Sequence, residues 1–331
     1  MALGEFSLID RFFKKSASPA NAHQNGDVGI GDDAAIVAIP QGHRLVVCKD
    51  VLVQDRHFFA DVPAQSLGHK SLAVNLSDLA AMGATPIGCL LGLGLPAVDE
   101  SWVGAFAQGL HDLAKRYDCP LIGGDTVASP QGVFVSVTAL GALPATATGL
   151  LRSAAQVDDD IWVSGALGAP DLALRIMQSQ VLDPQNRLPA LKPALQWPQP
   201  RVELGQRLLA AAHAAIDISD GLCQDLGHIL KASGVGAMLE IARLPVDQRM
   251  AGFDAAVCEH AVLQGGDVYE LCFTAPPTAR QQVEQIGQDL QLPLTRIGVI
   301  RQEPGLLGQY PDGRCIELAG GGFDHFAPEQ P

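Results

Sequence analysis

The chain of 331 residues is short of aromatics, at 5%, and short of positive charge, with 22 Lys and Arg against 36 Asp and Glu. A formal charge of −14 leaves no basic surface to displace counterions from a phosphate backbone, which excludes nucleic acid as a partner class. Seven cysteines, at 48, 89, 119, 223, 258, 272 and 315, form no Cys-x-x-Cys pair, so neither structural zinc nor a disulfide scaffold is expected. Their odd number, their apolar surroundings and the lack of a secretory leader suit a reducing compartment, and the expected location is cytoplasmic. No apolar run approaches the roughly 20 residues of a membrane helix, so no membrane partner is expected.

Nucleotide loops of the familiar kinds are also missing. Gly68-His-Lys-Ser71 lacks the upstream glycine of a phosphate loop and lies in a helical pattern. Gly92-Leu-Gly-Leu-Pro-Ala97 imitates a dinucleotide fingerprint, but Pro96 stiffens the turn and no acid follows at the required distance. Any bound phosphates must therefore be held mainly by metal ions and by turn amides.

Hydrophobic residues make up 47% of the chain, enough for two domains with cores of their own. A short amphipathic helix is expected over 5–13, then a polar loop over 16–27 and two strands over 34–39 and 44–49. Helices follow at 65–82, stopped by Gly83, and at 99–117, with strands at 87–95 and 132–140. Leu121-Ile122 leads into a Gly-Gly-Asp turn. The Ala-, Thr- and Gly-rich stretch 144–149 marks a boundary, giving domains 1–148 and 149–331. The second domain restarts with a strand at 160–164 and a helix at 170–180. The five prolines between Leu182 and Pro200 suggest a surface connector. A helix at 202–212, a strand at 215–218 and a helix at 222–232 come next. The mixture in both halves makes the fold α/β or α+β. Ser77-Asp78 precedes Gly123-Gly-Asp125, and Ser219-Asp220 precedes Gly265-Gly-Asp267, at the same spacing; for such short motifs coincidence is the safer reading.

Against this background six aspartates stand out: Asp33, Asp50, Asp78, Asp125, Asp217 and Asp220, each in an apolar or glycine-flanked context. Any one of them has an ordinary explanation as a turn former or helix cap, and Asp220 precedes a predicted helix. Six together, with few cations near them in sequence, point instead to divalent metal, because carboxylates in apolar surroundings need neutralising. Hard oxygen ligands without histidine or thiolate select magnesium. Asn75 and Asp78 share one helix face. His57 follows the Asp50 strand and reads equally well as a solvated loop residue.

These motifs occur in a recognisable order. Gly29-Ile-Gly-Asp-Asp33, Ser71-Leu-Ala-Val-Asn-Leu-Ser-Asp-Leu-Ala-Ala-Met-Gly83, Leu121-Ile-Gly-Gly-Asp-Thr126, Leu151-Arg-Ser153, Ile216-Asp-Ile-Ser-Asp-Gly-Leu222 and Tyr269-Glu-Leu-Cys-Phe273 together resemble the thiamine-monophosphate kinases. That family lies in the superfamily that includes aminoimidazole ribonucleotide synthetase, and the resemblance runs from Gly4 to Phe326. It implies two α/β domains, the first pairing across a homodimer into a β-barrel. It implies ATP-dependent phosphorylation of thiamine monophosphate to thiamine diphosphate by in-line transfer, with no nucleophilic side chain or general base. The six aspartates would ligate several Mg2+ ions, with a monovalent cation as a further candidate. Gly124, Asp125, Arg152 and Ser219 would contact ATP, with Arg152 on its phosphates. His57, Asp267 and Phe323 would face thiamine monophosphate.

The chain departs from the family pattern at Cys48-Lys49-Asp50, usually Ser-Thr-Asp, at Asp50-Val-Leu-Val-Gln-Asp55, usually Asp-Thr-Leu-Val-Glu-Gly, and at Gly265-Gly-Asp-Val-Tyr-Glu270, usually Gly-Gly-Glu-Asp-Tyr-Glu. Lys49 either supplies the charge of one metal ion beside Asp50 or points to solvent. Two other functions remain open: a sister ATP-dependent enzyme of the superfamily, and a non-catalytic sensor of thiamine phosphate or nucleotide.

Overall fold

The computed structural model describes residues 4–14, 28–31 and 33–318. The expected polar loop over 16–27 and the candidate Phe323 lie outside the described residues. The chain divides into two compact units, one of residues 1–79 and 84–147, the other of residues 80–83 and 148–331.

In the first unit a four-stranded sheet runs in the order β1-β4-β2-β3, with β1 at His43–Val53, β2 at Thr85–Leu95, β3 at Leu121–Ala128 and β4 at Phe134–Pro144. Its pairings are antiparallel except between β2 and β3. Period-two alternation sorts β1: Leu52 is buried, whereas Val47, Val51 and Val53 are exposed. A short helix, α1 (Glu5–Leu8), opens the described chain, and helices α2 (Ala64–Ala81) and α3 (Glu100–Arg116) bring the large apolar side chains Leu72, Leu76, Leu79, Phe106 and Leu110 into the core. Asp99 caps α3 by accepting from the backbone N–H groups of Ser101 and Trp102, at 2.9 and 3.2 Å. The two helices touch backbone to backbone. A Cβ at Gly68 would lie 1.9 Å from the Phe106 carbonyl, and one at Gly109 would lie 1.8 Å from that of Gln65. Gly68 is thus a packing glycine, as its rejection as a phosphate loop requires.

Two expectations for this unit fail. Residues 34–39 form no strand; Ile36 makes only an isolated bridge to Val28. Gly123-Gly-Asp125 is not a turn but continues β3, because the missing Cβ of Gly124 lets the strand lie directly against Leu91 of β2.

The second unit is built on a seven-stranded sheet ordered β11-β10-β7-β9-β5-β8-β6. From β5 (Asp160–Ser164), β8 (Leu271–Ala275) leads to the edge strand β6 (Ala214–Asp217). On the other side of β5 come β9 (Leu294–Arg301), β7 (Gly236–Glu240), β10 (Gly305–Gln309) and the edge strand β11 (Cys315–Glu317). One face packs Ile161, Val163, Ile216 and Cys272 against α4 (Ala169–Met177), α7 (Leu222–Ser233) and α8 (Ala255–Leu263). On β5 and β8 the alternate residues Trp162 and Phe273 stack with ring centroids 6.4 Å apart. The proline-rich connector is a correction: Leu188–Gln196 is a helix, α5, with proline in its first turn. Its Leu191 and Leu195 are buried in the core, so apolar spacing prevails over Pro193. A shorter helix, α6, covers Val202–Leu208.

Candidate functional site

The first unit joins Asp50 and Asp78 through Asn75. The Asn75 side chain is fully buried on α2, where its amide donates to the Ser71 carbonyl at 3.1 Å. Its oxygen accepts the backbone N–H of Asp50 at 3.1 Å, on the edge of β1 that faces no strand among the described residues. Cys48 is bound to the same residue, its thiol donating to the Asn75 carbonyl at 3.3 Å. Burial pushes the Cys48 thiol far above its usual range, and the negative charges of Asp78 and Asp50 push it further. The half-buried thiol therefore feels both carboxylates. Asp33 stands exposed on a bend, and Asp125 is exposed on β3 in register with Gly92; the Asn75 contacts include neither. His57 lies just after β1, where its ring nitrogen and backbone both bond to Val53, at 3.0 and 2.9 Å.

The second unit gathers Asp217, Ser219, Asp220 and Asp267 from two adjoining segments. Asp217 ends β6 and is 4% exposed. The turn after it is stitched to residues 266–270 by three backbone bonds of 2.8 Å: Ile218 N–H to Glu270, Asp267 N–H to Ser219 and Tyr269 N–H to Ile218. Glycine is required at the contact, because a Cβ at Gly266 would lie 2.4 Å from the Ser219 carbonyl and one at Gly221 would lie 2.5 Å from that of Gln264. Asp267 and Tyr269 both take left-handed backbone angles, φ 61° and 55°, an uncommon state for a bulky side chain. The Tyr269 hydroxyl donates to the Asp267 carboxylate at 3.0 Å. Glu270 anchors this segment, its buried carboxylate taking Arg201 and the Ser164 hydroxyl. Arg152 is exposed, and its carbonyl accepts from Ser233 at 2.9 Å. That places its backbone at the C-terminal end of α7, whereas Asp220 precedes the N-terminal end.

The donor set suits magnesium. Among the described residues no three His, Cys, Asp or Glu side chains gather into a metal-binding group. Magnesium takes one or two carboxylates and completes its octahedron with water and substrate phosphate oxygens, so paired acids on firm supports match its habit better than a closed cage.

Comparison with known proteins settles the kinship. A family model for AIR synthase related protein, N-terminal domain, matches residues 31–143. The chain is 39% identical over 332 residues to the thiamine-monophosphate kinase of Haemophilus influenzae, covering 98% of this chain and 99% of that one. The chain belongs to the thiamine-monophosphate kinase family. A solved thiamine-monophosphate kinase from Stenotrophomonas maltophilia K279a superposes with a TM-score of 0.84 at 42% identity, over 95% of this chain and 98% of that one. The structure of AaThiL complexed with AMPPCP and TMP matches with a TM-score of 0.75 at 28% identity, over 98% and 99%.

Within this family pattern Lys49 has a definite place. Strand alternation puts it on the sheet face opposite Asp50, where its ammonium donates to the Ser136 hydroxyl at 2.5 Å. It is thus not a stand-in for a metal ion beside Asp50 but an exposed residue of the solvent-side face, held there by Ser136. Two further residues escape sequence reading. Asp225, 2% exposed, accepts the N–H groups of Ser219, Asp220 and Gly221 at 3.0, 3.0 and 3.1 Å. Burial, with help from Asp217 and Asp220, pushes its pKa up to about 8 against the pull of those amides. Its only signal is an acid in the first turn of a helix, which reads as a dipole partner. Tyr269 opens a motif of the family resemblance, but nothing in its type foretells a left-handed backbone or its bond to Asp267. The matched spacings of the two Ser-Asp and Gly-Gly-Asp pairs are coincidence: one set lies on a helix and a strand, the other on two loops.

Proposed function

We propose that this chain transfers the γ-phosphoryl group of ATP to the phosphate of thiamine monophosphate, giving thiamine diphosphate and ADP. What carries the reading is the near-complete match to a relative whose structure holds AMPPCP, an ATP analogue, together with TMP. The acceptor oxygen is anionic at neutral pH, so no side chain need remove a proton. The obstacle is charge: about four negative charges on ATP and about two on the acceptor must approach each other in an already acidic protein. Magnesium ions, when bound, neutralise and align those phosphates. Asp33, Asp50, Asp78 and Asp125 of domain 1–148, and Asp217 and Asp220 of domain 149–331, are the proposed ligands. A monovalent cation is a further candidate.

Asn75 fixes the Asp50 backbone to the helix of Asp78, so these two acids keep their spacing without substrate. Gly124, Asp125, Arg152 and the Ser219 hydroxyl are proposed ATP contacts; the Ser219 N–H is already taken by Asp225. His57 and Asp267, with Phe323, are the proposed acceptor contacts, and Tyr269 steadies Asp267.

The first domain is proposed to form a homodimer by closing two four-stranded sheets into a barrel. Supporting this, Leu45, Val47, Val51 and Val53 are 42–54% exposed on the face of β1 that also carries Lys49, apolar surface that is costly in water. Among the described residues no helix is long and apolar enough to cross a membrane; a cytoplasmic location is proposed from the reduced cysteines. The test is ADP release with ATP alone, with added thiamine monophosphate and with thiamine. Release only with thiamine monophosphate is expected. A sensor would release none, and a sister enzyme would ignore this acceptor.

A further inference from the structure

Three successive peptide N–H groups, those of Ser219, Asp220 and Gly221, converge on a single oxygen, Oδ2 of Asp225. Converging amides of this kind form a nest, a concavity suited to an anion such as a phosphate oxygen. In this chain an internal side chain fills it. The closure is reciprocal, because the Asp225 N–H donates back to the Gly221 carbonyl at 2.9 Å. Asp225 lies in the first turn of α7, a 12-residue helix, and is 2% exposed, so it does not itself reach out to a ligand.

The same peptide planes serve a second partner. The Ser219 unit gives its N–H to Asp225 and its carbonyl to the N–H of Asp267, at 3.0 and 2.8 Å. The Ile218 carbonyl takes the N–H of Tyr269 at 2.8 Å. A shift of the turn therefore moves the metal-ligand candidate Asp220 and the acceptor-side candidate Asp267 together. We infer that Asp225 is a positioning residue: by plugging the amide nest it sets the turn that aims Asp220, and through Ser219 it fixes the loop that aims Asp267. Because the nest is filled, substrate phosphates do not bind to these three amides and are held through metal instead. The inference rests on the kinase reading for the roles of Asp220 and Asp267, but not for the nest.

The experiment compares Asp225→Ala and Asp225→Asn in the full chain, after far-UV circular dichroism confirms folding. Amide hydrogen exchange at residues 219–221 is the first readout, and calorimetric magnesium binding the second. Neither depends on turnover, so loss of the kinase reading would leave both interpretable. Kinetics with magnesium and with thiamine monophosphate varied in turn supply the third. The alanine variant should exchange these amides at least about tenfold faster. It should need roughly 10–100-fold more magnesium, with a raised KM for thiamine monophosphate and a kcat that recovers at saturation. The asparagine variant keeps an acceptor oxygen and should restore both protection and magnesium demand to near the parent. If alanine abolishes folding, Asp225→Ser, too short to reach the nest, replaces it with the same expectations. Parental exchange and parental magnesium demand in the alanine or serine variant would overturn the inference. So would an asparagine variant as impaired as alanine, since charge and not the filled nest would then be the agent.

Discussion

The two units present their acids by different means. In the first, Asp50 lies on an 11-residue strand and Asp78 on an 18-residue helix, with one buried amide, Asn75, tying them. In the second, Asp217 closes a four-residue strand, Asp220 lies on a turn and Asp267 on a loop with strained backbone. Regular elements hold direction through their own hydrogen-bond ladders, so the first pair needs little beyond Asn75. Asp220 and Asp267 have no ladder of their own, and their shape is imposed by Asp225, which holds three backbone amides, and by Glu270, which Arg201 anchors. Acids on regular elements should therefore tolerate remote change, whereas those on loops should depend on residues that never meet a ligand.

The largest effect should come from a ligand of the first unit. Asp78→Asn is expected to lower kcat/KM by about 10²–10³-fold. Its melting temperature should be unchanged or higher, because one repelling carboxylate is gone. A folded Asp78→Asn protein with near-parental turnover at saturating magnesium would remove Asp78 from the ligand set.

Support of the second unit is tested at Arg201. Its guanidinium meets the buried Glu270 carboxylate through two nitrogens, and Arg201→Met strands that charge. Removing one partner of a buried pair costs about 3–5 kcal/mol, so a clear fall in the urea midpoint is expected. Hydrogen exchange should quicken in residues 164–165 and 266–271 before it does in the β1–α2 region. Uniform loosening of both units would erase the contrast drawn between them.

Much of this contrast was legible in the sequence, but unevenly. Helices α2 and α3 and the strands β5 and β6 follow from apolar spacing, from Asp99 and Gly83 at helix ends, and from short apolar runs. The Asn75-to-Asp78 face follows from helical geometry alone. Residues 34–39 failed because, among the described residues, their alternation meets the isolated bridge to Val28 and no partner strand. Pro193 misled because two buried leucines outweigh a lost helix bond. At the site, residue type and spacing nominated the acids but not their supports. Asp225, Glu270 and Tyr269 act through backbone contacts between segments some fifty residues apart, and no local pattern records those.

A smaller effect probes Asp171, which shares the neighbourhood of Asp267. Burial raises its pKa to about 6, with Asp267 adding to the rise and Arg175, 3.9 Å away, opposing it. A carboxyl whose folded pKa lies above its unfolded value of 3.8 favours the fold while protonated, and that stability is lost as pH rises through 6. Asp171→Asn should therefore stabilise the protein at pH 8, by roughly 1–2 kcal/mol once the weakened contact to Arg175 is counted, and add little at pH 4. Thermal melts at the two pH values decide it: an equal shift at both would mean that ionisation of Asp171 is not the cause.

The central claim is direct transfer between two phosphates with no covalent enzyme intermediate, and isotope tracing tests it most directly. With ATP labelled in the γ-phosphate, magnesium and thiamine monophosphate, the label should appear in the terminal phosphate of thiamine diphosphate. It should do so in equal amount to the ADP released, and none should remain on denatured protein. Label retained on the protein, or recovered only as inorganic phosphate while thiamine monophosphate stays unchanged, would contradict the account.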